Sequence, residues 1–150
     1  MSVPFLLDTT VLLQWTRGKS QATALDQQFN LLAAPLRPLM CEVSLGEMWA
    51  FSRNPQWSER QRQRMQQIEQ HVTAIDISDR RVIDAYADLS TLAQKSGWSI
   101  FNGKNDLWVG AAAKVTHAHL LTMDTDFLPL RGLPGWTVTV LDVHTALPLP

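Results

Sequence analysis

The run VPFLLDTTVLLQW, residues 3 to 15, sets the reading of the whole chain. Val3 to Leu7 is a continuous apolar stretch, the pattern of a strand buried on both faces. Asp8 closes it, and from Thr9 the apolar positions change to helical spacing at Val11, Leu12 and Trp15, as far as Gly18. A buried strand that ends on a carboxylate and turns into a helix is a unit of an α/β sheet. It puts the carboxylate at the sheet's carboxyl edge, where open α/β sheets place their ligands.

Outward from that unit the same alternation recurs. Ser20 to Ala33 reads as a second helix, with Ala24, Leu25, Gln28, Leu31 and Leu32 at helical spacing and Pro35 and Pro38 as stops. Leu39 to Val43 is a second strand, followed from Ser44 by a helix with Leu45, Met48, Trp49 and Phe51 on its apolar side, broken at Asn54-Pro55. Gln56 to His71 is a half-exposed helix with a thin stripe of Trp57, Met65 and Ile68, and Val72 to Ile77 a third strand. Ser78 is placed to cap a strong helix through Val82, Ile83, Tyr86, Leu89 and Ala93, ending at Gly97. A loop to Lys104, a helix from Asn105 to His117, a strand from Leu120 to Met123, a turn from Asp124 to Pro129 and a strand from Thr137 to Leu141 complete the chain. This order predicts a parallel sheet covered by helices on both faces.

With 150 residues and 45% hydrophobic content, residues 1–150 are expected to form a single domain. Cys41 is the only cysteine, so no internal disulfide forms; without a signal segment or a membrane-length apolar run, the expected setting is cytoplasmic, with no membrane partner. The net charge of −1 does not exclude a nucleic-acid enzyme. Two bound divalent ions would add four charges and bring the total to +3. The one basic stretch is Arg53 to Arg64, where Arg53, Arg60, Arg62 and Arg64 face a single acid, Glu59.

Four acids stand where such a sheet would collect them: Asp8 after the first strand, Glu47 one turn into the helix after the second, Asp106 in the first turn of the Ala-rich helix, and Asp124 after the fourth. Clustered carboxylate oxygens suit Mg²⁺ or Mn²⁺. Hydrolysis of a phosphodiester needs a positive centre to activate water and stabilise the pentavalent transition state, and a divalent ion held by acids supplies one. Glu42 and Asp126 compete with Glu47 and Asp124; Glu47, flanked by Leu45 and Met48, and Asp124, nearer its strand, rank first, with Asp126 assisting. Asp8 and Asp106 also suit helix starts, as a cap and as a dipole partner.

These segments, Leu-Leu-Asp8-Thr-Thr-Val-Leu, Val-Ser-Leu-Gly-Glu47-Met, Asn-Asp106-Leu-Trp-Val-Gly-Ala-Ala and Leu-Leu-Thr-Met-Asp124-Thr-Asp126-Phe, resemble the four motifs of PIN-domain nucleases, in order and over nearly the whole chain. The resemblance implies a three-layer α/β/α fold with a central, mostly parallel sheet of four to five short strands. It implies a metal-dependent endoribonuclease, most often the toxin of a VapBC-type toxin–antitoxin pair, in which the positions of Asp8, Glu47, Asp106 and Asp124 bind one or two Mg²⁺ or Mn²⁺ ions, assisted at Asp126. A small antitoxin protein, an RNA substrate and a homodimer follow as expected partners. The alternative is a scaffold of the same fold that binds RNA or protein with little catalysis.

Among polar neighbours, Thr122 is expected to hydrogen-bond a ligand or phosphate, and Arg53, Arg60 and Arg64 to grip substrate phosphates at the rim of the acidic groove. The apolar positions of Gln21 to Ala33 and Gln56 to His71 are expected to remain partly exposed and to serve the homodimer. Cys41 and the histidines lack the partners of a catalytic or zinc site. Other Asp-centred α/β folds are excluded by residue: a dehalogenase-like phosphatase needs an Asp where Thr10 stands, and a receiver domain needs an acidic pair that is missing. No Gly-rich phosphate loop, Gly-x-Ser-x-Gly elbow or Cys-x-x-Cys pair occurs.

Overall fold

The computed structural model describes residues 2–150, with the side chains of all of them except Phe101 and Lys104. Five strands, β1 (Phe5–Leu7), β2 (Leu39–Cys41), β3 (Thr73–Ile75), β4 (His119–Thr122) and β5 (Thr137–Val140), form one sheet in the order β3-β2-β1-β4-β5. Every pairing is parallel, with Leu6 opposite both Leu39 and Leu120. The chain runs outward from β1 to β3, then returns to the other side of β1 for β4 and β5. The order therefore reverses between β1 and β4, and that switch point is where an open α/β sheet leaves a crevice.

Strand alternation divides the core into two layers. Leu7, Met40 and Leu121 face α1 (Thr9–Arg17), α2 (Ser20–Phe29), α3 (Glu42–Ser52) and α4 (Glu59–His71), through Val11, Leu12, Trp15, Leu25, Met48, Met65 and Ile68. Leu6, Cys41, Leu120 and Val138 face α5 (Arg80–Ser96) and α6 (Lys104–Thr116), through Leu89, Ala93, Leu107 and Ala112. Two short 3₁₀ helices, Ser99–Phe101 and Thr125–Gly132, complete this second layer. No helix among the described residues is long and apolar enough to cross a membrane.

Several boundaries move from their expected places for local reasons. The second helix stops at Phe29, not Ala33, because Asn30 adopts the left-handed conformation (φ 49°) and closes it ahead of the prolines. The third helix starts at Glu42, two residues early, and shortens β2 to three residues. The fourth starts at Glu59, fixed by a reciprocal cap between Ser58 and Gln61. Asp79 rather than Ser78 caps α5, accepting from the Arg81 amide.

Most of the apolar stripe expected to stay partly exposed on α2 and α4 is taken into the core. Met65 and Ile68 are 2% and 7% exposed, and Ala22 and Leu25 are also buried, because α4 closes over α1 and completes the core of the single chain. Of the expected positions, Leu32 remains exposed and Ala24 and Trp57 are half-buried.

Candidate metal centre

The carboxyl ends of β1 and β4 carry the acids. Asp8 follows β1 at the N-cap position of α1, yet its side chain makes no capping bond. Instead its Oδ2 accepts from the hydroxyls of Thr122 (2.8 Å) and Thr10 (2.9 Å), and the residue is only 2% exposed. Burial drives this carboxyl above its ordinary range, helped by the Asp124 charge and opposed by the two hydroxyls.

Across the switch point Asp124 follows β4 and caps the 3₁₀ helix that begins at Thr125, its Oδ1 accepting from the Asp126 amide at 2.8 Å. Its own amide donates to Thr122 Oγ1 at 3.0 Å, so one buried hydroxyl joins the two strand ends. Asp126 is held from another direction, accepting from Ser99 Oγ at 2.7 Å. Glu47, half-buried on α3, accepts from Thr9 Oγ1 at 2.9 Å, which ties α3 to the start of α1.

Asp106 enters from the first turn of α6. One carboxylate oxygen each from Asp106, Asp124 and Asp126 lie within 4.8 Å of one another. Burial, then the charges of Asp8, Asp124, Glu47 and Asp126, push the Asp106 carboxyl up to about 7. Gly103 leaves room for it, since a Cβ there would lie 2.6 Å from Asp106 Oδ2. All-oxygen donors, converging and mutually repelling, fit a hard divalent cation, whose charge would offset that repulsion.

The five acids singled out in sequence are thus placed around one point: three in direct proximity, with Asp8 and Glu47 close enough for their charge to be felt at Asp106. Glu42 points elsewhere and accepts from the Ile77 amide at 3.2 Å. Thr122 differs from expectation. It is fully buried with its hydroxyl committed to Asp8 and to the Asp124 amide, so it supports the acids from behind and is closed to substrate. Sequence reasoning missed the supporting hydroxyls of Thr9, Thr10 and Ser99. The pair after Asp8 had a local signal, hydroxyls one and two residues past a strand-end acid, whereas Ser99 lies 27 residues from its partner and had none.

The basic stretch does not border the acids as expected. Arg53 donates to the Trp49 carbonyl and Arg62 to those of Ser52 and Asn54, closing the α3–α4 turn. Arg64 Nε donates to Trp15 O at 2.8 Å, at the far end of α1 from Asp8, and Arg60 lies beside it. Physically, α4 must cross α1 to bury Met65 and Ile68, which carries the arginines away from the carboxyl edge.

The remaining candidates are structural. Cys41 is fully buried, its thiol pushed up to about 11 by burial. His117 forms the left-handed cap of α6, and His119 Nε2 is 2.7 Å from Thr139 Oγ1, with burial lowering its pKa.

The family model described as PIN domain matches residues 5–132. The chain belongs to the PIN domain family. The match includes all five clustered acids of this PIN domain. Among solved structures, VapBC2 from Rickettsia felis, bound to a promoter DNA fragment, superposes with a TM-score of 0.74 at 18% identity, covering 91% of this chain and 97% of that one. VapBC-1 from nontypeable Haemophilus influenzae gives 0.71 at 19%, covering 91% and 98%. FitAcB from Neisseria gonorrhoeae gives 0.65 at 19%, covering 89% and 95%. At these identities the likeness establishes the PIN fold. No curated protein matches the chain in sequence.

Proposed function

We propose that this PIN domain is a metal-dependent endoribonuclease, acting as the toxin of a toxin–antitoxin pair. The observation that carries the reading is the convergence of Asp106, Asp124 and Asp126 within 4.8 Å at the sheet's switch point, beside the buried Asp8. Asp106, Asp124 and Asp126 would hold one Mg²⁺ or Mn²⁺ ion, with Asp8 and Glu47 completing the set or serving a second. The chemistry such an ion supplies when bound is charge stabilisation of the phosphate and activation of water.

The chain's own residues keep the acids in place. Thr122 and Thr10 fix Asp8, Thr9 fixes Glu47, Ser99 fixes Asp126, and the Asp126 amide fixes Asp124. Hydrogen bonding to one oxygen of each limits rotation of the carboxylate, which prearranges the site for a cation and a phosphate.

Support for the pairing comes from the fold neighbours, which include a member of the VapBC family of toxin–antitoxin systems and a toxin–antitoxin complex. By that analogy a small antitoxin would place its C-terminal segment over the acidic crevice and a basic side chain near the acids, and the toxin would form a homodimer. Light scattering of the purified chain checks the dimer. For catalysis, purified protein with Mg²⁺ or Mn²⁺ should cut single-stranded or looped RNA, and EDTA should stop it. Cleavage that persists in EDTA, or none with either metal, overturns the reading.

A further inference from the structure

Arg60 and Arg64 share a groove with residues from a different part of the chain. Where the end of α1 meets the start of α4, Arg17, Lys19, Arg60 and Arg64, with Ser58 and Gln61, line a depression of about 390 Å³. Gly18 makes this possible. Its left-handed backbone (φ 67°) reverses the chain between α1 and α2 and sets Arg17 and Lys19 on either side of the turn. Arg64 is anchored over that turn, since a Cβ on Gly18 would meet its Nε at 3.3 Å, and that Nε is bonded to Trp15 O.

Cations without an acidic partner converge in this groove. Three other arginines pair with acids of their own helix or cap: Arg62 with Glu59, Arg80 with Asp84 and Arg81 with Asp79. Among the described residues no carboxylate lies within 4.0 Å of the charged nitrogens of Arg17, Lys19, Arg60 or Arg64. Four of the chain's thirteen lysines and arginines therefore converge unpaired in a protein whose net charge is −1. Guanidinium and ammonium groups, with the Ser58 hydroxyl and the Gln61 carboxamide beside them, make a donor-rich surface of the kind that binds phosphate oxygens.

We infer that this groove binds backbone phosphates of the RNA substrate, as an anchor remote from the scissile bond. The inference rests on the nuclease reading for its ligand. Asp8 and Arg17 mark the two ends of α1, nine residues apart, which at 1.5 Å per residue is about 13 Å. A strand with its scissile phosphate at the acids would need about four stacked nucleotides, at 3.4 Å each, to reach the groove. Binding here sets affinity for longer RNA and leaves the chemistry to the acids.

The test replaces two of the three exposed cations that make no internal bond, as Lys19→Gln with Arg60→Gln, and leaves Arg64 to hold the fold. Binding of a long single-stranded RNA in metal-free buffer is measured across a salt series. The double variant should bind several-fold more weakly, with the salt slope reduced by about 1.4, near 0.7 for each lost phosphate contact. A charge-keeping pair, Lys19→Arg with Arg60→Lys, should restore both. In the presence of Mg²⁺ the Gln pair should raise KM for long RNA and leave kcat unchanged, while an RNA of about two nucleotides, too short to reach the groove, should be cut as by the parent. An unchanged salt slope in a variant that still folds overturns the inference, even if the parent cleaves RNA. So does loss of antitoxin binding with RNA binding intact, which would make the groove a protein contact. A parent that shows the groove-dependent slope but never cleaves would remove the nuclease reading and leave the groove standing.

Discussion

Asp106 carries a defined pH signature. Its carboxyl, pushed up to about 7 from an ordinary 3.8, holds a proton in the folded metal-free protein that the unfolded chain has released. Above pH 4 the native state therefore binds more protons than the unfolded state, so stability contributed by this group is complete below that point and is lost as pH rises through about 7. Thermal melts in EDTA should show the midpoint falling between pH 4.5 and 7.5, and Asp106→Asn should flatten that fall. The same substitution, or Asp8→Asn, should abolish metal-dependent RNA cleavage without unfolding the domain; full activity in Asp8→Asn would end the ligand assignment. Thr122 is a second residue with a defined cost. Thr122→Val removes the hydroxyl between Asp8 and the Asp124 amide, and urea titration should register a loss of about 1–3 kcal/mol.

At the scale of elements, glycines report how closely helices meet. On α6, a Cβ at Gly110 would lie 2.8 Å from Leu89 Cδ2 of α5 and 3.3 Å from Leu130 Cδ1, both fully buried. Gly110→Ala should lower stability by up to about 2 kcal/mol, because overpacking of about 1–3 kcal/mol offsets or exceeds the helix-propensity gain of about 1. Gly46 on α3 has nothing within 4 Å, so Gly46→Ala should stabilise by about 0.5–1 kcal/mol. Denaturant curves on the two variants decide both. Gly103, before α6, is different again: Gly103→Ala would push the Asp106 carboxylate aside, weakening metal affinity severalfold by titration calorimetry while the fold is kept.

For the whole molecule the central quantity is the coupling between metal and fold. Five acids brought together by β1, β4, α3 and α6 repel one another, and α6 reaches the site only because its Ala-rich face packs on the sheet. An ion that binds the native cluster and not the open chain should raise the melting midpoint with concentration, about 2.7 kcal/mol of stabilisation at a hundred times its Kd. The rise should be larger at pH 7.5 than at pH 5, where protons compete for Asp106. Differential scanning fluorimetry with Mg²⁺ and Mn²⁺ measures it. A midpoint indifferent to both metals at pH 7.5 would remove the metal centre.

Much of this architecture is written locally. The strands and α-helices show in the pattern of their apolar residues, whereas the 3₁₀ helices Ser99–Phe101 and Thr125–Gly132 read as a loop and a turn; the acids at Asp8 and Asp124 are marked by their position just past a buried strand, a relation confined to a few neighbouring residues. The parallel order follows from the alternation of short strands and helices, since parallel neighbours require a crossover. Chain proximity failed wherever packing intervened. Arg60 and Arg64 sit close to Glu47 in sequence, but burial of Met65 and Ile68 against α1 decided which way α4 crosses and carried them to the other end of that helix. That same burial took Met65 and Ile68 out of the stripe expected to form a dimer. Ser99 on Asp126, Thr9 on Glu47 and Thr122 on Asp8 join residues 27, 38 and 114 positions apart. Such contacts leave no periodic trace in the chain, because they depend on where whole elements come to rest, and only the tertiary structure sets that.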